Sequence, residues 1–317
     1  MPLRVNVLGI FVSDALCGPI KHYPIAGKAT QVIADFIRFM PGGGAANSSL
    51  ALAAMGLPVK VFSKVGADPM GRFILDHLRE RGVDASGVAV SDQVSTPFTF
   101  VGIHPGGDRT FVHTPGANKT FALADLDRAA LLDTDILFYQ DFWVLPKIDG
   151  APAAELLAAA RRRGAITLVD ECWGLGPNRE TWEQIVPHAT YLLPSYDDML
   201  AIYPGLEPAD MIRNLRDKGA GKVILKMGPQ GCLVGSGDGL ESIPSRADKI
   251  VDTTGAGDCF DAGFIAGLAH GLSDGDAARI GSLCAAACIR NVGGAVGIPA
   301  YAELRQQMGT KQGGQTA

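Results

Sequence analysis

The stretch Asp252 to Leu268, DTTGAGDCFDAGFIAGL, decides how the rest of the chain is read. A Gly-Ala-Gly turn opens directly into an apolar helix rich in Ala and Gly. Backbone N–H groups at such a turn have no helical partner, and with the positive end of the helix they form an anion pocket. Glycine lets a phosphate approach the main chain with no Cβ in the way. Asp258 stands at the same helix start. A carboxylate beside a bound phosphate repels it, so it makes better sense as the acceptor of a proton from a hydroxyl about to attack phosphorus. The plainer reading is an N-cap, for which Asp is among the preferred residues. The flanking glycines and Asp252 favour the base.

A second glycine run, Pro41 to Asn47 (PGGGAAN), also precedes a helical pattern. Read by itself it is a flexible turn capped by Asn47, or a close backbone approach to a ligand in which Asn47 offers donor and acceptor to a hydroxyl. It is not a dinucleotide fingerprint, because the spacing is wrong and it does not follow the first strand. A Walker A loop is also missing, since Gly27-Lys28 is followed by Ala29.

Outward from these motifs, the chain has 317 residues, 47% hydrophobic and 19% charged, which excludes a disordered polymer. Lys plus Arg is 28 against 33 Asp plus Glu, a net charge of −5, which argues against a nucleic-acid partner bound through phosphates. No apolar run reaches the roughly 20 residues of a membrane span, and the N-terminus meets Asp14 before a signal peptide can form. The six cysteines form no CxxC pair, and Cys284 and Cys288 read as core residues on one helix face rather than a redox pair. These features predict a reduced, cytoplasmic protein.

Short apolar strands alternate with helices. Strands are predicted at Arg4–Ile10, Val59–Val65, Asp135–Gln140, Ala165–Asp170, Thr190–Leu193 and Val223–Met227. Helices are predicted at Asn47–Met55, after Asp68, and at Pro152–Arg163, Arg179–Val186, Asp197–Tyr203, Ala209–Lys218, Asp258–His270 and Asp276–Arg290. Such alternation implies a parallel sheet covered on both faces. Two regions break the rhythm. Phe98–Ile103 and Thr110–His113 predict a hairpin, and Val12–Phe39 is irregular; together they predict a small β lid. His104, Arg109 and His113 on the hairpin are either a solvated face or a means of reaching an acidic or phosphorylated substrate. Trp143 and Trp173 follow predicted strands at the sheet edge where α/β proteins place ligands. They either stack on a sugar or base, which leaves a nucleoside open, or plug the core.

In order and in residues, PGGGAAN and DTTGAGDCFDAG resemble the two signatures of the ribokinase-like (PfkB-type) carbohydrate kinase family, with similarity from Val7 to Pro299. The resemblance implies a three-layer α/β/α sandwich with a mostly parallel central sheet and a small β-sheet lid. It implies one kinase domain over residues 1–305 with a lid from about 11–40 and 97–116, and the Gly/Gln/Thr-rich composition of the C-terminus predicts a frayed tail over 306–317. The resemblance implies transfer of a phosphoryl group from ATP, with Mg²⁺, to a primary hydroxyl of a sugar or related alcohol; a nucleoside kinase and a non-catalytic binding protein on the same fold are the alternatives. By the same resemblance Asp258 is the base, and Gly255, Ala256 and Gly257 are the anion hole. Asp14, Gly43 and Asn47 hold the acceptor, with Arg109 a further candidate from the lid. Lys226, Gly228 and Gly231 form the nucleotide loop, and Gly294 lies in the loop Val292–Pro299 that lines the adenine pocket. Asp252 and Thr254 match residues that help bind K⁺, and the lid matches one through which members form homodimers.

The chain departs from the family pattern in three places. An Asn-x-x-Glu motif that organises Mg²⁺ is replaced by Ser195-Tyr196-Asp197-Asp198, where the shorter Asp198 can still hold a metal-bound water. Gly44 stands where ribokinases usually carry Lys, which disfavours ribose. Asp170 alone remains of an Asp-x-Asn-x-Arg motif, which weakens assignments to fructose or ketodeoxygluconate.

Overall fold

Alternation along the apolar strands divides their side chains between two cores. Val5, Val7, Val59, Val61, Ile136 and Phe138 point into one. Leu8, Phe62, Leu137, Tyr139, Val169 and Val223 point into the other. A computed structural model describes residues 3–21, 31–105, 109–172, 176–237 and 239–309. Its strands are β1 Val5–Leu8, β2 Val12–Gly18, β3 Phe36–Gly42, β4 Val59–Phe62, β5 Lys64–Gly66, β6 Ala89–Ser91 and β7 Phe98–Ile103. They continue as β8 Arg109–Thr114, β9 Ile136–Phe142, β10 Ile166–Glu171, β11 Tyr191–Leu192, β12 Lys222–Lys226, β13 Cys232–Ser236 and β14 Gly239–Ile243. The helices are α1 Gly44–Ala54, α2 Pro69–Glu80, α3 Arg128–Leu131, α4 Ala151–Arg162 and α5 Arg179–Ile185. They continue as α6 Tyr196–Ile202, α7 Pro208–Asp217, α8 Ala256–Ala269, α9 Asp274–Cys288 and α10 Tyr301–Gly309.

The central sheet has the order β14-β13-β12-β11-β10-β9-β1-β4. Its strands from β4 to β12 pair in parallel, and β13 and β14 are added antiparallel. Helices α1, α2, α8, α9 and α10 cover the first core, and α3 to α7 cover the second. This is the expected α/β/α sandwich. Asp68 caps α2 through the amide of Gly71, with Pro69 in the first turn, as its sequence predicts.

A second sheet, of order β3-β2-β7-β8, stands beside the main one. The predicted hairpin is β7 with β8, paired antiparallel, and its tip at 106–108 lies outside the described residues. The irregular stretch also contains two strands, β2 and β3, which pair antiparallel from Val12↔Gly42 to Gly18↔Phe36. Residues 22–30 between them lie outside the described residues. Sequence pattern misses these strands because β3 has little alternation: most of it is half-exposed or exposed, and it ends in Pro41 and Gly42.

Two boundaries differ from expectation. Helix α1 begins at Gly44, so Asn47 lies within its first turn and does not cap it. At the C-terminus, α10 runs to Gly309 and buries Leu304, so residues 306–309 are helical rather than tail. Residues 310–317 lie outside the described residues.

Candidate active site

The run PGGG ends strand β3 and delivers the chain to the start of α1, where Gly43 occupies the N-cap position with no side chain to offer. The capping comes from far away in sequence. Asp141, at the end of β9 with φ of 65°, accepts the amides of Gly44 (3.0 Å), Ala45 (3.0 Å) and Ile10 (2.9 Å). A buried carboxylate so placed fixes the helix end against the central sheet and satisfies otherwise orphaned donors. Its neighbour Gln140 is also buried. Neither residue stands in a motif that the sequence reading singles out. A Gln-Asp pair closing an otherwise apolar strand, ILFYQDF, is the signal that could have found them.

Asp258 is the third residue of α8, and Gly255 is the N-cap. Among the described residues, no backbone amide of the helix donates to its carboxylate, so the capping reading does not describe it. Its Oδ2 accepts from Asn47 Nδ2 at 2.8 Å, and its Oδ1 accepts from Gln140 Nε2 at 2.6 Å. The Ser48 hydroxyl donates to Gln140 Oε1 at 2.5 Å and so fixes the amide's orientation. Burial raises the Asp258 carboxyl above the usual range; the Asn47 hydrogen bond opposes this, the Asp170 charge adds to it, and Lys226 and Gln140 oppose it again. Asn47 Oδ1 is buried with no hydrogen-bond partner among the described residues, leaving an acceptor in hand beside the Asp258 carboxylate.

Two cavities flank the turn that precedes α8. The first, of about 440 Å³, is lined by Asp14, Gly43, Asn47, Thr99, Arg109, His113 and Thr254, with Gly293 and Gly294. Its remaining wall is apolar, including Ile10, Val12, Leu16, Val101 and Val144. The second, of about 450 Å³, is lined by Lys226, Gly228, Pro229, Gly231, Ala256 and Gly257, and by Ala285, Ala286 and Ile289 of the α9 end. The residues expected to hold the acceptor thus gather on one side of the turn, and those expected to hold the nucleotide on the other. Gly294 departs from this division. Expected beside the nucleotide, it lines the first cavity, because its Cα packs under Gly255, where an added Cβ would come within 2.9 Å of it.

Lid strands supply the polar side of the first cavity. Asp14 sits on β2, and burial pushes its carboxyl up to about 7 against a hydrogen bond from Thr99. Thr99 Oγ1 in turn lies 3.0 Å from His113 Nδ1. His104 is held within the lid, at Ile20 O (3.0 Å) and Thr110 Oγ1 (2.9 Å). Trp143 is buried in the second core, donating to Asn178 O and packing 5.4 Å from Trp182, so it is a core plug. Trp173 lies outside the described residues.

Acidic side chains gather behind the second cavity. Lys226 Nζ bridges Asp170 (2.8 Å) and Asp261 (3.1 Å). Burial opposes its charge, but Asp170, Asp261 and Glu171 hold the ammonium well above its ordinary range. Its side chain is thus committed to the acidic cluster while it lines the cavity floor. Glu171 Oε1 accepts the amide of Ser195 at 2.7 Å, which seats the start of α6 and hence Asp198. Burial raises the Asp198 carboxyl, and the Asp170 charge adds to it. Asp170 Oδ1 and Glu171 Oε2 are buried with no hydrogen-bond partner among the described residues. No three acidic, histidine or cysteine side chains among those residues converge closely enough to ligate a metal directly. Orphaned carboxylate oxygens instead suit the water shell of a divalent cation shared with phosphates, so these residues fit a hydrated Mg²⁺.

The residues expected to help bind a monovalent cation do not fit one. Asp252 accepts the amides of Thr254 (2.7 Å) and Gly293 (2.8 Å). The Arg109 guanidinium forms an ion pair with the same carboxylate and donates to Thr254 Oγ1. Burial would raise the Asp252 carboxyl, but the Gly293 and Thr254 amides and Arg109 hold it below its usual value.

The family model for pfkB family carbohydrate kinase matches residues 13–300. The ribokinase of Lactococcus lactis is 26% identical over 96% of this chain and 97% of its own length. The fructoselysine 6-kinase of Escherichia coli K12 is 28% identical over 84% of this chain and 96% of its own length. Among solved structures, the ribokinase of Arabidopsis thaliana complexed with ribose and ATP superimposes with a TM-score of 0.86, at 21% identity, over 98% of this chain and all (100%) of its own.

Proposed function

The chain belongs to the pfkB family of carbohydrate kinases, and from that premise we propose that it transfers the γ-phosphoryl group of ATP to a primary hydroxyl of a sugar or related small alcohol. At the family level it is an ATP-dependent phosphotransferase acting on an alcohol. One observation carries the finer reading: the turn 253–257 separates two cavities of similar size, and the carboxylate at its helix end is held by two side-chain amides.

The acceptor occupies the first cavity, where Asp14 and the orphaned Asn47 oxygen accept from its hydroxyls and Gly43 leaves room beside them. ATP occupies the second, its phosphates running from the turn at Gly228 to Gly231 toward the start of α8. Asp258 takes the proton of the attacking hydroxyl at its carboxylate, whose ionised form its amide donors favour against burial. The amides of Gly255 and Gly257, with the helix dipole, stabilise charge on the moving phosphoryl group, while the amide of Ala256 donates to Thr253 O at 3.2 Å and closes the turn. Asp170, Glu171 and Asp198 would hold Mg²⁺ through its waters, and the ion supplies neutralisation of phosphate charge. Lys226 offsets the negative charge of the acidic cluster beneath the helix. The lid excludes water from the transfer. Its outer face carries exposed apolar side chains that suit self-association into a homodimer.

The apolar wall of the first cavity favours a second reading, an acceptor with an apolar ring such as a nucleoside. A thermal-shift panel separates the two, because a ligand at 100 times its Kd adds about 2.7 kcal/mol of stability.

The reading is tested by ADP release over pentoses, hexoses, sugar acids and nucleosides. Asp258→Asn should lower kcat by about 10²–10⁴-fold, the usual worth of a positioned base, with the KM for ATP nearly unchanged. Turnover close to wild type in that variant rejects the base.

A further inference from the structure

We propose that Arg109 is a built-in replacement for the monovalent cation, carried on the lid, so that lid closure itself completes the charge balance of the anion hole. Asp252 lies directly before the turn that would bind phosphoryl oxygens, and its side chain is 1% exposed. It ties that turn to the loop of Gly293 through the amides of Thr254 and Gly293. The tie sets the turn's shape but leaves a negative charge under a site meant for anions. Repulsion of that kind weakens phosphate binding unless a cation stands beside the carboxylate. Arg109 is that cation. It is the first residue of β8, its side chain is only 18% exposed, and its two terminal nitrogens engage Asp252 and Thr254 Oγ1. A guanidinium presents a planar fork of donors that reaches both partners at once.

A free ion at this position would be available whatever the lid does. A lid-borne arginine arrives with the lid. Arg109 is therefore a positioning residue: it acts on transfer through Asp252 and the turn, and it couples acceptor enclosure to phosphoryl stabilisation.

The inference rests on the anion-hole reading, and its test has one arm that needs no turnover. Melting and phosphotransfer are measured with KCl, NaCl or tetramethylammonium chloride at equal ionic strength. The wild type should melt at the same temperature and turn over within about twofold in all three, because screening is constant. Arg109→Ala should lose about 10²–10³-fold in kcat, the scale of a lost preorganised donor, with a smaller change in acceptor KM. Guanidinium chloride at low millimolar concentration, or K⁺, should restore part of that kcat, and K⁺ should raise the melting temperature of the variant alone. Arg109→Lys should fall between the two. Activation or stabilisation of the wild type by K⁺ over tetramethylammonium overturns the proposal. So does an Arg109→Ala variant that turns over like wild type, or one whose loss neither cation repairs. If the melting pattern holds but no acceptor is phosphorylated, the kinase reading falls and the role of Arg109 toward Asp252 stands.

Discussion

Asp258 takes its two hydrogen bonds from residues that the chain brings in from opposite directions, Asn47 on α1 and Gln140 on β9. Both donors are neutral amides, which stabilise the carboxylate without giving up a proton to it. The Gln140 bond lowers the Asp258 carboxyl, so its removal should raise it. A base must be ionised to act, and a raised value moves the acidic limb of the kcat/KM profile to higher pH. Gln140→Leu is therefore expected to shift that limb upward and to lower kcat about tenfold, less than the full worth of a base. A pH–rate profile checks it, and an unmoved limb with a lower plateau would assign Gln140 to packing instead. At this scale the sequence is half legible. Asp258 and Asn47 stand in glycine-rich motifs that announce themselves, whereas Gln140 and Asp141 act across gaps of 118 and 97 residues and leave no local pattern.

The turn before α8 and the loop of Gly293 and Gly294 work as one element. Gly255 has φ of 72°, and an added Cβ would lie 2.9 Å from Gly294 Cα, which is backbone and cannot swing away. Gly255→Ala should therefore cost backbone strain and also push the turn off the loop. Gly56, with φ of 86° and nothing within 4 Å of its added Cβ, isolates the strain alone. Denaturant unfolding should give Gly56→Ala a loss of about 1 kcal/mol and Gly255→Ala a larger one, with kcat reduced only in the latter. Equal losses with intact turnover in both would mean that the two segments do not constrain each other. The turn proposed to bind the phosphoryl anion is legible because glycine spacing and an apolar helix coincide in one short stretch. The loop's contact with it is not, and this is why the family resemblance puts Gly294 on the nucleotide side while the structure places it on the wall of the first cavity.

Across the whole molecule, the layered sheet follows from apolar strands alternating with helices, since β9 and its parallel neighbour β1 are buried along their length and β10 nearly so. The lid is only half legible: a Pro-Gly-Gly sequence between β7 and β8 signals a hairpin, whereas the connection from β2 to β3 is too long for such a signal to pair them. The lid also has a face that the cavity does not use. Pairing of Ile37 with Cys17, Phe39 with Ala15 and Val112 with Phe100 puts these side chains on the face opposite Met40, Asp14 and Val101, which line the first cavity. Ile37, Phe39 and Val112 are 61%, 50% and 63% exposed. Large apolar side chains clustered on one sheet face mark an interaction surface, and a second copy of the same face is complementary in character and closes under twofold symmetry. The protein should therefore run as a dimer in light scattering at micromolar concentration. Phe39→Glu with Val112→Glu places like charges in that interface and should yield monomers whose kcat is largely kept but whose acceptor KM rises several-fold, because the lid loses its support while Asp258 and the turn are untouched. A wild type that is monomeric under these conditions, or a double variant that remains dimeric, would remove the lid face from the assembly.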